Sequence, residues 1–135
     1  MPRLSRWLVR TALAWLLAAL ALGVALAFPT LPARWPALAA AWPVYLHLFV
    51  VGWITQLIAG VAYWMFPRVD RTTPPDDPRG WWVYATLNLG LALRAGAEPW
   101  AGTHWAGVAL PLSAALQLCA AVIFVITLWP RARGR

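Results

Sequence analysis

The chain has 135 residues, of which 62% are hydrophobic and only 11% charged. A soluble domain carries about a quarter charged residues, and the apolar residues here come in blocks longer than a core helix needs, so the composition excludes an ordinary soluble domain and reads as an integral membrane protein. The net charge of +7 comes from arginines without a single lysine; they sit between the apolar blocks, which points to membrane topology and away from nucleic-acid binding.

Four candidate spans follow in chain order, at 7–28, 43–66, 81–97 and 105–129, each near the roughly 20 residues that cross a bilayer. They predict an all-α, integral membrane four-helix bundle forming a single domain over 1–135. The first span is preceded by Arg3 and Arg6 and contains Arg10 near its start. Its end, Ala25-Leu26-Ala27, resembles a signal-peptide cleavage site. The apolar run is nevertheless longer than the roughly 7–15 residues of a signal core, so a retained helix is expected. Pro29, Pro32, Pro36 and Pro43 fill the first connection. Proline cannot continue a helix, and it pushes the residue before it out of helical geometry.

The second span carries Gly52, Gln56 and Gly60, four residues apart. Small residues at that spacing let another helix approach closely, and an amide bonds across the contact; a quinone or cofactor role for Gln56 is the alternative. Rotation of about 100° per residue puts this stripe roughly opposite His47. The next connection, RVDRTTPPDDPRG, reads as a solvated turn, with partner docking as its alternative. On the third span Gly90, Arg94 and Glu98 share a face, and Arg94 and Glu98 are spaced for an ion pair. Asn88, Ser113 and Gln117 read as interhelical hydrogen-bond formers. The fourth span contains Pro111, which predicts a bend, and the lone Cys119, which reads as a small membrane-buried residue; Pro130 follows it.

Tryptophan marks both interfaces, with Trp35, Trp42, Trp100 and Trp105 on one side and Trp7, Trp64, Trp81, Trp82 and Trp129 on the other. With four spans, Arg3, Arg6, Arg10, Arg68, Arg71, Arg79, Arg131, Arg133 and Arg135 fall on one side. Arginine-rich loops stay inside, so both termini are expected in the cytoplasm and the protein in an inner (cytoplasmic) membrane of bacterial type.

The ionisable side chains within or beside the spans are His47, Arg94, Glu98 and His104. Topology gathers them near the outer face, and such residues are functional candidates by default. Two histidines at one level suit a b-type haem with one imidazole on each side of the iron, and Arg94 suits its propionates. Counting back from the inner ends sets His104 higher than His47 by roughly 9 Å, which opposes the pairing. The plainer alternatives are an interfacial His104, an interhelical hydrogen bond for His47 and an ion pair for Arg94 and Glu98. The sequence lacks CxxCH, a carboxylate pair, a nucleophile beside a base and a phosphate loop, so no catalytic residue is assigned.

The stretch YLHLFVVGWITQLIAGVAYWMFPR, which begins at Tyr45, resembles the tenth helix of haem–copper oxidase subunit I and its nitric-oxide-reductase relatives. That helix opens with His-x-His, continues through glycines and ends in aromatics and a proline. Here Tyr45-Leu46-His47, Gly52, Gly60 and Tyr63-Trp64-Met65-Phe66-Pro67 stand at those places. The resemblance implies that His47 matches the low-spin haem ligand, while Tyr45 replaces the ligand of the active-site haem. The chain also resembles small four-helix proteins labelled oxidase-subunit-I-like, through that stretch, LNLGLALRAGAEPW and LWPR. The copper-binding histidines have no counterpart, so oxygen or nitric oxide reduction by this chain is not implied. The expectation is a haem-binding or redox-associated electron-transfer protein with His47, His104 and Arg94 at the cofactor. The alternative is a non-catalytic accessory or assembly subunit of a respiratory complex or homo-oligomer, docked through Gly52, Gln56 and Gly60. A small channel or carrier fits less well, because the inner half of the spans is poor in polar residues.

Overall fold

A computed structural model of the chain describes residues 1–66 and 77–132. The described residues are helical without a strand. α1 spans Arg3–Ala27. Two short helices, α2 (Thr30–Arg34) and α3 (Pro36–Ala39), occupy the first connection, where the proline-rich sequence predicts only a break. Pro36 stands in the first turn of α3, where a missing N–H costs nothing. α4 (Trp42–His47) passes through a π-helical stretch, Leu48–Thr55, into α5 (Gln56–Met65), making one continuous rod, Trp42–Met65. α6 spans Pro78–Ala97 and tightens into a 3-10 turn, Glu98–Trp100; α7 spans His104–Ala132.

Arg3–Ala27, Trp42–Met65 and His104–Ala132 are long and apolar enough to cross a membrane. α6 is long but carries Arg79, Asn88 and Arg94, which dilute its apolar character. The helix ends follow local chemistry. Phe28 and Phe66 are extended because prolines come next. Asp77 caps α6 by accepting the Arg79 backbone N–H at 3.0 Å, ahead of Pro78 in the first turn. Pro130 does not follow the last helix but lies inside it. The missing proline N–H forfeits one intrahelical bond, and the fixed φ still suits a helix. The 67–76 part of the middle connection, with Arg68 and Arg71, lies outside the described residues, as do Arg133 and Arg135.

α1 and the Trp42–Met65 rod run antiparallel. Glycines on each helix mark the seam: Gly23 faces Tyr45, Gly52 faces Trp15, and Gly60 faces Leu8 and Ser5. α6 and α7 form a second antiparallel pair, with Ala97 against Ala106 and Ala109 at one end and Asp77 beside Arg131 at the other. Polar contacts between α1 and α6 help to join the pairs. Thr11 Oγ1 and Tyr84 Oη are 3.0 Å apart, and the Trp15 Nε1–H donates to Asn88 Oδ1 at 2.7 Å. Both positions advance by four residues, so α1 and α6 are parallel. Apolar clusters fill the seam: Ala19, Ala41, Val44, Leu48 and Leu91 towards the His104 end, and Leu4, Leu8 and Tyr63 towards the Arg131 end. In lipid such packing rests on close van der Waals contact and interhelical hydrogen bonds, since lipid is as apolar as the side chains.

Candidate functional site

His47 closes the last turn of α4 and is half-buried. Its Nδ1 lies 2.9 Å from the Pro43 carbonyl oxygen. A carbonyl only accepts, so Nδ1 carries the proton and Nε2 of the neutral ring keeps its lone pair. This is the arrangement in which imidazoles are oriented for metals, with one nitrogen held by a backbone carbonyl and the other presented outward.

The π-helical stretch begins immediately after His47. Its i→i+5 pattern inserts extra residues per turn and re-aims the side chains that follow, and such stretches concentrate at functional positions. Thr55, at its end, returns its hydroxyl to the Val50 carbonyl at 2.9 Å, matching the five-residue spacing. No sequence rule applied above signals this change of pitch. Val44 and Val51, three residues before and four after His47, line two apolar hollows. One, of about 550 Å³, lies at the His104 end and includes Leu38, Val44 and Trp100. The other, of about 260 Å³, runs between the two helix pairs and includes Val51, Thr55, Leu87, Gln117 and Phe124.

His104 is the first residue of α7 and is exposed. The contacts fix its level relative to His47. Leu91 packs with Leu48 and approaches Gly52, and its neighbour Gly90 accepts the Ser113 hydroxyl at 2.8 Å. His104 precedes Ser113 by nine residues, while His47 lies within five residues of both Leu48 and Gly52. His104 is therefore displaced outward by roughly 6–12 Å at helical rise. The contact register thus runs in the direction of the offset expected from the inner ends.

Arg94 and Glu98 are drawn together on α6, with Nε and Oε2 at 3.2 Å. The N–H is not aligned for a hydrogen bond, so the pair is held by charge. Arg94 thereby engages Glu98 through its Nε. Gly52, Gln56 and Gly60 all face α1. Gln56 is fully buried, and its Nε2 donates to the Leu8 carbonyl at 3.3 Å; Oε1 has no hydrogen-bond partner among the described residues. The stripe is thus occupied within the chain. Ser113 and Asn88 bond across helices, whereas the Gln117 Nε2–H stays on its own helix and donates to Ser113 Oγ at 3.1 Å. Cys119 is exposed on the outer surface of α7.

No protein-family model, curated protein or solved structure matches the chain.

One polar cluster escaped the sequence reading. Arg131 Nη2 lies 3.6 Å from Asp77 Oδ2, and its guanidinium carbon stands 5.8 Å from the centroid of the Tyr63 ring. The cluster ties α5, α6 and α7 together at the Arg131 end. Asp77-Pro78 is legible in sequence as a helix start. The partner 54 positions later is not, because nothing local to Arg131 marks it. Among the described residues no group of three or more His, Cys, Asp or Glu side chains is assembled to hold a metal ion. A haem needs fewer protein ligands than that, and the fit of this chain to one rests on His47, whose Nε2 has no hydrogen-bond partner among the described residues; His104 lies at a different level and Arg94 shares its Nε with Glu98.

Proposed function

We propose that the chain is a four-helix integral membrane bundle of the cytoplasmic membrane, with both termini on the cytoplasmic side, and that it is a haem-binding or redox-associated protein related to haem–copper oxidase subunit I. The orientation is supported by Arg3, Arg6, Arg10, Arg79 and Arg131, which belong to one end of the antiparallel helices, against Arg34 and Arg94 at the other. The observation that carries the cofactor reading is the Nδ1 bond from His47 to Pro43, which leaves Nε2 as an available ligand at the start of the π-helical stretch. A bound b-type haem would supply one-electron transfer, and His47 would hold the iron. His104 is the second candidate ligand within the chain, and its outward offset weighs against it.

A reduced-minus-oxidised visible spectrum of the detergent-purified protein, expressed with haem supply and checked by a pyridine haemochrome assay, tests this reading. A stoichiometric b-type band that His47→Ala removes, with His104→Ala as the parallel variant, is the expected result. A folded, colourless protein overturns it. The second reading is a non-catalytic accessory or assembly subunit. It is favoured by the Arg94–Glu98 pair, which is closed on itself, and by the exposed His104. Under it, His47→Ala changes only assembly or stability.

A further inference from the structure

The outward face of α1 carries two kinds of residue in strict succession. Arg3, Arg6 and Arg10, spaced three and four apart, are exposed and surround a hollow of about 200 Å³ that Trp7 completes. The same face continues through Leu13, Leu17, Leu20 and Val24, again three or four apart, and all four are exposed. At 100° per residue, Arg3 to Val24 stay within roughly one third of the helix circumference. The stripe is cationic for its first two turns and aliphatic for the following four.

Among the described residues these arginines have no carboxylate partner. Among the described residues the two acidic side chains are already committed, Asp77 to Arg131 at 3.6 Å and Glu98 to Arg94 at 3.2 Å. Three converging guanidiniums repel one another and suit a ligand with several anionic oxygens, which each guanidinium takes in a fork. The aliphatic run decides which anion. Arg10 to Val24 covers about 21 Å of helix, more than the roughly 15 Å of one hydrocarbon leaflet. A free phosphate would use only the head of this stripe, whereas a phospholipid would use all of it. A second copy in parallel would fit the leucine spacing but would bring the two arginine sets together, which is unfavourable.

We propose that α1 is a binding site for one anionic phospholipid, its phosphate held by Arg3, Arg6 and Arg10 beside Trp7 and an acyl chain laid along Leu13, Leu17, Leu20 and Val24. The inference rests on the membrane placement of α1 and not on the haem reading, so a colourless protein leaves it standing.

The test is native mass spectrometry of the full chain released from vesicles of equal phosphatidylglycerol and phosphatidylcholine with identical acyl chains. The wild-type protein is expected to retain phosphatidylglycerol preferentially. Each of Arg3→Gln, Arg6→Gln and Arg10→Gln should lower that preference about three- to fivefold, on the scale of one basic residue at a membrane surface. Arg34→Gln, at the opposite end, should leave it unchanged. Single variants keep most of the topogenic charge, and their folding is checked by circular dichroism in the same detergent. Equal retention of the two lipids by the wild type overturns the proposal, as does an equal loss in Arg34→Gln. Displacement of the lipid by millimolar glycerol 3-phosphate would make the site one for free phosphate esters, and a lipid-free dimer would make the stripe an interface between copies; either result also overturns it.

Discussion

The Trp15 indole N–H on α1 and the Asn88 side-chain oxygen on α6 meet at 2.7 Å, joining two helices that are 73 positions apart in the chain. Asn88 is held for this role by its own Nδ2–H, which donates to the Tyr84 carbonyl at 2.8 Å, and Tyr84 in turn meets Thr11 one turn further along. The two contacts form a polar bridge between the α1–Trp42–Met65 pair and the α6–α7 pair. Asn88→Leu should lower stability by about 0.6 kcal/mol, the average of interhelical hydrogen bonds in a membrane protein, and by no more than about 1.7 kcal/mol. Unfolding in mixed detergent reads the loss. A double-mutant cycle with Trp15→Phe should return a coupling of the same order; additive single effects would show that the bond carries no stability.

Gly52 should tolerate no side chain. A Cβ there would stand 2.8 Å from Leu91 Cδ2 and 2.9 Å from both Trp15 Cβ and Cγ. Trp15 cannot yield without giving up Asn88, so Gly52→Ala is expected to cost about 1–3 kcal/mol, as overpacking does. Gly96 offers the control, because nothing lies within 4 Å of a Cβ placed on it. Gly96→Ala should be neutral or slightly stabilising, by up to about 1 kcal/mol from helix propensity. Thermal midpoints of the two variants side by side measure the contrast.

Ser113 serves two partners at once, donating to the Gly90 carbonyl and accepting from Gln117. Its replacement by alanine strands the Gln117 amide beside a tightly packed helix crossing, where a Cβ on Gly90 would already meet Ser113 O at 3.0 Å. Ser113→Ala should therefore destabilise by about 1 kcal/mol, and Gln117→Leu added to it should recover part of the loss. Chemical unfolding of the single and double variants decides this; a double variant no more stable than Ser113→Ala would refute the network.

Asp77 has two tasks that substitution can separate. One oxygen caps α6 through the Arg79 N–H, and the other faces Arg131. Asp77→Asn keeps a capping oxygen and discards the charge; Asp77→Ala discards both. The alanine variant should be the less stable by about 1 kcal/mol, the worth of an N-cap. The difference between wild type and Asp77→Asn should shrink in high salt, since only the ion pair is screened. Melting curves at low and high ionic strength test both statements.

Several features were legible along the chain because their causes are local. Apolar length locates the long helices: 43–66 was expected and Trp42–Met65 is observed, and 105–129 became His104–Ala132 once Pro130 proved compatible with a helix end. Proline after Phe28 and after Phe66 ends the helices where it stands in sequence. The four-residue spacing of Arg94 and Glu98 brings them together on any α-helix.

What tertiary structure alone decided are the relations that depend on how helices are rotated and slid against one another. Spacing shows that Gly52, Gln56 and Gly60 form a stripe, and only packing shows that α1 fills it. The Trp15–Asn88 bridge and the Arg131–Asp77 pair over Tyr63 are also of this kind. The change of pitch at Leu48–Thr55 belongs with them, because it alters which faces Val51 and Thr55 present. Hydropathy depends on a residue and its near neighbours and therefore survives as a one-dimensional signal. A contact between faces of distant helices depends on the summed fit of many side chains, and no single stretch of the chain contains it.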